Sequence, residues 1–398
     1  MAGKKIFISV EEAQKSIFRA VKSSKAIEVK IENASGFVVS ETLKSEYPSP
    51  PFNQSAMDGY AFRFSDLTPT PLKIVGEAKA GTNFPNKVGK GEAVRIFTGA
   101  AVPSGADTVV MQEKTIATKF ELEITDSLIK KGSNIRLEGS QIKKGTIAIV
   151  KGTLLNPGSV GYLAALGIAK VNVFRKPKIA IIVTGDELVA PGTKLKPGQI
   201  FESNSHTLRS VISSNQNIQP ELFFVNDSFE TIRKVFKKTT ARFDFVLFTG
   251  GISVGDYDFV GSVLNAEKVK TIFYKVKQKP GKPLYFGSKG VKYVFGLPGN
   301  PASVLTCYHE FVKLAIQKFY NHPYPGHLSL SLPLSNPIVK KPGLVNFLKG
   351  FTDFKTVTPL SGQESYILKS FVTANCFIVL KEGDGEKKVG EEVEVHLL

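Results

Sequence analysis

The sequence predicts a multidomain protein of α/β plus β class, in which a doubly wound, mainly parallel sheet lies between N-terminal β-rich domains and a C-terminal β domain. The chain has 398 residues, more than one ordinary hydrophobic core accommodates. Apolar strands alternate with helices from residue 178 to about residue 322, a pattern typical of a doubly wound sheet. Short alternating strands between Gly- and Pro-rich turns occupy the segments before and after it.

The N-terminal half begins with a predicted helix over residues 9–24, where apolar residues recur at helical spacing. Ser9 is the expected N-cap, and Glu12 forms a capping box with it. A second short helix is expected over residues 155–166. Between the two helices, period-2 alternation predicts short strands, among them 27–31, 93–97 and 146–150.

In a doubly wound sheet, ligands bind beyond the carboxyl ends of the strands. Those positions therefore contain the candidate site residues. They are the segments 184–187, 226–227, 249–258 and 297–300.

Composition excludes several classes of protein. The 42% hydrophobic and 22% charged residues are typical of a globular protein, and no apolar run is long enough for a membrane span. The N-terminus lacks the apolar stretch of a signal peptide, so we expect a cytoplasmic protein. Two cysteines exclude a disulfide scaffold and a four-cysteine zinc site. The five histidines show no metal-ligand spacing, and we interpret them as structural or surface residues.

The net charge of +17 favours anionic partners, although a lysine-rich proteome explains scattered lysines equally well. Among anionic partners, nucleic acid is the less favoured one, because the sequence has neither an RNA-binding aromatic signature nor a Cys/His finger. We expect no nucleic-acid partner.

The glycine-rich segment 249–258 follows a predicted strand. Its backbone N–H groups can form an anion-binding nest, and Asp256 with Asp258 can hold Mg²⁺ against a phosphate. The segment around Ser253 also matches the nucleophile elbow of serine hydrolases. We disfavour that interpretation because Gly255 and Asp256 interrupt the helix that an elbow requires. A purely structural turn is the other alternative.

Other candidate segments also have structural alternatives. Glu187 ends a strand in TGDEL, where an acid can bind a ligand or cap a turn. Asn300 and Pro301 suit the N-cap and first position of a helix, whose N–H groups can also bind a phosphate. Four lysines with no acid among them surround a Pro-Gly turn in residues 275–282. We favour an anion site there over a solvated hairpin edge.

Taken together, these segments resemble the molybdopterin molybdenumtransferase family, which includes bacterial MoeA and the gephyrin E-domain. The resemblance extends over essentially the whole chain. Its motifs are SAMDGYA (55–61), RIFTGAAVPSGAD (95–107), TGDEL (184–188), GQIFESN (198–204), TGGISVGDYD (249–258), KPGKP (279–283), GLPGNPAS (296–303) and NCFIVL (375–380).

The resemblance implies four domains. An elongated N-terminal domain is formed by residues 1–50 together with 141–177, and a β domain is formed by residues 51–140. A doubly wound molybdopterin-binding domain follows over 178–325, and a C-terminal β domain over 326–398. It implies a homodimer whose active site combines the doubly wound domain of one protomer with the 51–140 domain of the other. The implied reaction inserts molybdate into adenylylated molybdopterin with Mg²⁺ and releases AMP. Molybdopterin adenylyltransferase and molybdoenzyme-maturation proteins are the expected partners.

The resemblance also implies roles for individual residues. The catalytic residues are Asp58, Thr98, Glu187, Asp227 and Asp258, of which the last three are also the implied metal ligands. The implied substrate-binding residues are Arg136, Ser253, Lys275, Lys279, Pro298, Asn300, Pro301 and Ser370. The chain departs from the family at Gly139-Ser140-Gln141, where the family has Gly-Glu-Asp. A non-catalytic pterin-binding or scaffolding module is the alternative function.

Overall fold

The computed structural model describes residues 5–251 and 259–398, and side chains from residue 7 onward. The chain forms two compact units. The N-terminal unit comprises Val29–Ser35 and Glu41–Val171, and the main unit comprises Met1–Glu28, Gly36–Ser40 and Asn172–Leu398. Strands Ala26–Lys30 and Lys170–Phe174 lie where the chain passes from one unit to the other.

The main unit is built on a seven-stranded mixed sheet, here called the central sheet. Its strands are, in spatial order, Lys5–Ile8, Lys270–Val276, Tyr285–Lys289, Lys292–Leu297, Phe245–Thr249, Ile179–Thr184 and Glu221–Val225. The last four run parallel to one another, and their registers bring the carboxyl ends to one edge. Every residue of Ile179–Thr184 and Phe245–Thr249 is buried, as continuous apolar runs in a parallel sheet predict.

Helices cover the central sheet on both faces. Ile182, Val246 and Phe248 pack against the helices Phe229–Arg242 and Phe259–Ala266. Neighbouring residues of a strand point to opposite faces, and Phe245 accordingly contacts Phe319 of another helix, with ring centroids 5.6 Å apart. The helices of the main unit are Val10–Ala20, Asn204–Gln216, Phe229–Arg242, Phe259–Ala266, Pro301–Cys307 and Lys313–Phe319, with a π-helical turn Tyr308–Val312 and a 3₁₀ turn Lys369–Val372.

The strand Lys5–Ile8 was missed in the sequence analysis. It runs parallel to Lys270–Val276 at the edge of the central sheet. It has only four residues and leads almost directly into a helix, so it carries no strand signal of its own. The helix itself is confirmed, since the Ser9 hydroxyl accepts a hydrogen bond of 3.2 Å from the Glu12 N–H.

The C-terminal part of the main unit contains a second sheet, which is mostly antiparallel. Its order is Gln278–Lys279, Val345–Thr352, Cys376–Leu380, Glu392–Leu397 and Ser329–Pro333, with Val357–Pro359 paired beside Val345–Thr352. Gln278–Lys279 belongs to residues 275–282, here called the lysine hairpin, and pairs with Val345–Thr352 in parallel. The hairpin segment is thereby attached to both sheets. A separate two-stranded ladder joins Leu188–Val189 to Ile200–Phe201.

The N-terminal unit contains a six-stranded mixed sheet in the order Thr108–Met111, Gly59–Phe62, Glu92–Ile96, Leu72–Ala78, Glu121–Ile124 and Thr115–Ala117. Two small ladders pair Ile135–Arg136 with Gln54–Ser55 and Ile147–Ile149 with Leu43–Lys44. The predicted second helix spans Pro157–Ala165, and 3₁₀ turns occur at Ile31–Asn33, Phe64–Asp66 and Gln112–Lys114. The predicted β-rich character is confirmed.

Within the described residues, every helix is too short or too polar to cross a membrane.

Candidate functional site

Two acidic side chains follow neighbouring strands at the carboxyl edge of the central sheet. Glu187 comes shortly after Ile179–Thr184, and Asp227 comes shortly after Glu221–Val225. These strands are parallel and adjacent, with Thr184 opposite Val225, so both acids lie at the same edge. The Asp227 N–H donates a hydrogen bond of 3.1 Å to the Asp186 carboxylate, which brings a third acid to the turn.

The three carboxylates form an electrostatically crowded group. Burial, together with the negative charges of Asp186 and Glu187, raises the pKa of Asp227. When a cation binds beside such a carboxyl group, it stabilises the charged form that burial and the neighbouring charges disfavour. Carboxylate oxygens are the ligands that Mg²⁺ prefers. The donor set at Glu187 and Asp227 therefore fits a magnesium ion.

A cavity of about 640 Å³ opens beyond these strand ends. Five of the predicted site residues line it: Glu187, Asp227, Lys279, Pro298 and Asn300. The other lining residues come mainly from the glycine turn, the lysine hairpin and a loop of the C-terminal sheet: Thr184, Gly185, Gly250, Gly251, Gln278, Pro280, Gly281, Lys282, Pro283, Gly299, Ser303, Leu344, Gln363 and Ser365.

The glycine turn follows the strand Phe245–Thr249. Gly250 and Gly251 have φ angles of +88° and +63°, which a residue with a side chain adopts only at a cost. A Cβ at Gly251 would also lie 2.8 Å from a methyl carbon of Val260. Glycine is thus required at position 251 on two counts. The rest of the predicted nest, including Ser253 and Asp258, lies outside the described residues.

The lysines of the hairpin have different environments. Lys277 forms an ion pair of 3.0 Å with Glu382, an acid far away in the sequence. The ammonium of Lys275 lies 5.1 Å from the ring centre of Tyr274. Lys275 is not among the described residues that line the cavity. Lys279 and Lys282 do line it. Two of the four lysines are therefore available to an anion in this cavity.

Gln278 is a site residue that the sequence analysis missed. Its side chain is fully buried and its Nε2 donates a hydrogen bond of 3.0 Å to the Gly281 carbonyl. Its Oε1 has no donor among the described residues. A buried amide oxygen without a donor is costly, so a ligand that donates a hydrogen bond would stabilise the site. The residue lies among lysines and carries no motif signal of its own.

The helix beginning at Pro301 has Asn300 at its N-cap position, as predicted. The Asn300 side chain does not cap the helix, because its Nδ2 instead donates a hydrogen bond of 2.7 Å to the Ser365 hydroxyl. The Ala302 N–H donates to the Ser365 carbonyl at 3.0 Å. The Ala302 N–H is therefore not among the free N–H groups that this helix end is expected to offer to a phosphate. Ser365 was missed because 65 residues separate it from Asn300.

Ser370, another predicted site residue, lies in the 3₁₀ turn Lys369–Val372. Its hydroxyl donates a hydrogen bond of 2.9 Å to the Gly362 carbonyl. Neither Ser370 nor Pro301 is among the described residues that line the cavity.

The N-terminal unit contains a second candidate group, formed by Asp58 and Thr98. The pairing of Gly59 with Ile96 brings the two residues together at one end of their strands. The Thr98 N–H and hydroxyl each donate a hydrogen bond of 2.8 Å to the same oxygen of Asp58. These bonds, with a smaller contribution from the charge of Arg95, lower the pKa of Asp58. Asp58 is exposed and held in its ionised form.

Two further predicted positions lie in the same unit. Arg136 is exposed on the short strand Ile135–Arg136, beside Gln54–Ser55. Gln141 is exposed, and its N–H donates a hydrogen bond of 2.9 Å to the Ser49 carbonyl. The backbone therefore fixes the turn at Gln141 independently of its side chain.

The chain matches three family models in order: the MoeA N-terminal region, domains I and II, over residues 8–167; a probable molybdopterin binding domain over 180–318; and the MoeA C-terminal region, domain IV, over 331–398. A curated relative from Haemophilus influenzae, named molybdopterin molybdenumtransferase, is 35% identical over 92% of this chain and 94% of its own length. A relative of the same name from Staphylococcus aureus is 32% identical over 98% of this chain and 95% of its own.

A solved structure supports the same assignment. The molybdopterin biosynthesis MoeA protein from Pyrococcus horikosii is similar with a TM-score of 0.82 and 31% identity, and the match covers 98% of this chain and 99% of that one. The family resemblance seen in the motifs is thus confirmed along nearly the whole length. The chain belongs to the molybdopterin molybdenumtransferase (MoeA) family.

Proposed function

We propose that this chain is an enzyme of molybdenum cofactor biosynthesis, a molybdopterin molybdenumtransferase that inserts molybdate into adenylylated molybdopterin and releases AMP. One observation carries the proposal: Glu187 and Asp227 line the same cavity as Lys279 and Lys282. A site with carboxylates for a cation and ammonium groups for anions suits a substrate made of phosphates and an oxyanion.

In this proposal Glu187 and Asp227 hold Mg²⁺, and Asp258 joins them by family resemblance. A bound Mg²⁺ supplies Lewis-acid neutralisation of the charge on the phosphoanhydride. Lys279 and Lys282 bind anionic oxygens, and the Gln278 amide oxygen accepts a hydrogen bond from the substrate. No covalent nucleophile is assigned, so positioning and charge neutralisation provide the catalysis.

The finer features of the family complete the proposal. The central sheet is the doubly wound molybdopterin-binding domain of a four-domain chain with the boundaries predicted from the sequence. The protein works in the cytoplasm as a homodimer, beside molybdopterin adenylyltransferase and molybdoenzyme-maturation proteins. Further substrate contacts come from Pro298 and Asn300, which line the cavity. The family resemblance adds Arg136, Ser253, Lys275, Pro301 and Ser370, of which Lys275, Pro301 and Ser370 lie outside the described lining.

The test of function is AMP release from purified adenylylated molybdopterin, measured with and without molybdate. We expect release that depends on molybdate and Mg²⁺, together with activation of a cofactor-free molybdoenzyme. Tight pterin binding without AMP release would contradict the enzymatic proposal and support a non-catalytic pterin-binding or scaffolding module.

The proposed dimer has its own test, since a partner chain would supply Asp58 to the site of Glu187. Pure Asp58→Asn and pure Glu187→Gln dimers should both be inactive. After mixing and subunit exchange, hybrid dimers contain one intact site, and random pairing should restore roughly a quarter of native activity. A tagged pull-down verifies that hybrids form. Verified hybrids without activity would contradict the shared site.

A further inference from the structure

Three ionisable side chains that the sequence places far apart converge in the main unit, away from the cavity described above. Glu310 lies on the π-helical turn Tyr308–Val312, His327 precedes the strand Ser329–Pro333, and His396 lies on the last strand. Each offers one ligand atom, and these atoms all lie within 4.8 Å of one another. The histidine spacing in the sequence gave no sign of this cluster.

Both imidazoles direct the same nitrogen at one carboxylate. The Nδ1 of His396 lies 3.0 and 3.1 Å from the two oxygens of Glu310. The Nδ1 of His327 lies 3.4 Å from one of them and has no hydrogen-bond partner among the described residues. Glu310 is 1% exposed and His396 is 5% exposed, so water does not solvate this carboxylate. A buried carboxylate that stays ionised requires a cation beside it, which is either a protonated His396 or a bound metal ion.

The second nitrogen of His396 is also occupied. Its Nε2 lies 3.1 Å from an oxygen of Glu394. A neutral imidazole has one N–H, and here a carboxylate faces each ring nitrogen. If the N–H points to Glu394, the lone pair of Nδ1 points at Glu310, and the two repel unless a cation lies between them. A carboxylate that orients a histidine from its far nitrogen is the usual outer contact of a metal-binding histidine.

We propose that Glu310, His327 and His396 form a binding site for Zn²⁺, with one carboxylate oxygen and the two Nδ1 atoms as ligands. Zinc bonds of about 2.0–2.1 Å in a tetrahedron place ligand atoms roughly 3.3 Å apart. The nitrogen-to-oxygen distances of 3.0 and 3.4 Å are close to that spacing. This proposal is independent of the proposed enzymatic function.

A fourth ligand and a path of entry are available. A cavity of about 340 Å³ is bordered by Glu310, His327 and Gly326, and a water molecule in it completes a four-coordinate ion. The two imidazoles now lie nearly parallel, with an interplanar angle of 18° and centroids 3.4 Å apart. A metal lies in the plane of each ring that binds it, so His327 must tilt. Its side chain is 20% exposed at the edge of the cavity, which allows that movement.

The bound ion would join the helical layer, through Glu310, to the C-terminal sheet, through His396. The expected role is therefore structural. Metal binding to the folded state alone raises the melting temperature in proportion to the logarithm of the ion concentration.

The experiment uses the full chain, stripped of metal with a chelator and then titrated with Zn²⁺ by calorimetry and with Co²⁺ by visible absorption. We expect one tight Zn²⁺ per chain, intense Co²⁺ bands typical of four-coordinate geometry, and a higher melting temperature. His327→Gln should weaken binding at least about 10-fold, because one direct ligand is lost. The matched control His206→Gln removes an exposed imidazole elsewhere and should bind Zn²⁺ like the wild type.

Two further variants make the result decisive. Glu310→Gln has the same shape and removes the carboxylate, so it should also lose the tight site while circular dichroism verifies folding. Asp227→Asn should keep it, which separates this site from the magnesium site. Equal Zn²⁺ affinity in wild type, His327→Gln and Glu310→Gln would overturn the proposal, as would weak Co²⁺ bands of six-coordinate geometry. Neither result affects the AMP-release test.

Discussion

Asp58 in the N-terminal unit and Asp227 in the main unit are both predicted to be catalytic, and their environments are opposite. Asp58 is exposed and receives two hydrogen bonds from Thr98, which lower its pKa. Asp227 is half-buried, and burial with the charges of Asp186 and Glu187 raises its pKa. One carboxylate is stabilised as an anion by its own chain, and the other is destabilised as an anion until a cation binds.

The difference indicates that the two carboxylates have different roles. A carboxylate that its neighbours already hold ionised is pre-positioned and can accept or orient a polar group without a metal. A carboxylate crowded by like charges lowers the stability of the folded protein until a cation binds, and such carboxylates are common at functional sites. We infer that Asp58 orients substrate and that Asp227 holds the cation.

The largest effect is expected from Asp227→Asn. The amide keeps the shape of the side chain and removes the charge that attracts the cation, so activity should fall by about 100-fold or more. The measurement is the rate of AMP release at saturating Mg²⁺.

Asp353→Asn is the matched control for that variant. Asp353 belongs to the same unit, and its carboxylate accepts hydrogen bonds of 2.9 Å from the N–H groups of Lys355 and Thr356. It lies outside the described lining of the cavity, so AMP release should be unchanged. An active Asp227→Asn protein would show that the cation, if bound, is held by other residues.

The second effect concerns Thr98, which positions Asp58. Thr98→Val removes one hydrogen bond to a charged group and leaves the backbone bond, so kcat should fall roughly 10-fold. Thr98→Ser retains the hydroxyl and should restore most of the activity. The pKa of Asp58, followed by carboxyl NMR, should rise in the valine variant only. An unchanged rate in Thr98→Val would mean that the backbone N–H alone positions Asp58.

The fold was predictable where the hydrophobic pattern is local. The buried runs Ile179–Thr184 and Phe245–Thr249 and the cap at Ser9 each have a signal in consecutive residues, and the structure confirms them. The edge strand Lys5–Ile8 pairs with residues 268 positions later in the chain, as Lys5 opposite Phe273 shows. Four residues cannot indicate such a partner.

The same limit applies to the sites. Glu187, Asp227 and Lys279 were identified because strand ends and charge runs have a pattern in the sequence, and the structure brings them to one cavity. The hydrogen bond from Asn300 to Ser365 depends on tertiary packing. The Glu310 and His396 contact spans 86 residues and no motif marks it. Sequence therefore indicated the residues that follow strands, and the structure was needed for those brought together by packing.

A smaller effect should appear in stability as a function of pH. A carboxyl whose pKa is raised by folding destabilises the folded state when it is ionised, and this penalty disappears as pH falls through the raised value. Without Mg²⁺, Asp227→Asn should therefore melt slightly higher than wild type at pH 7, by no more than about 3 °C. The gap should close as the pH falls toward the raised pKa. A gap that is constant or widens at low pH would contradict the crowded environment.

The smallest effect is expected at Gln141, where the family has an acid. The side chain is exposed and the turn is fixed by the backbone bond to Ser49, so Gln141→Asp should fold normally. The resemblance implies a metal-binding role for the acid at position 141, and a carboxylate restored beside a solvated, salt-screened cation contributes about 1 kcal/mol, so the Mg²⁺ concentration for half-maximal activity should fall by no more than about fivefold. Gln141→Asn is the neutral control and should leave it unchanged. If the aspartate variant also titrates like wild type, position 141 takes no part in metal binding in this chain, and the crowded group at Glu187 and Asp227 holds the cation without it.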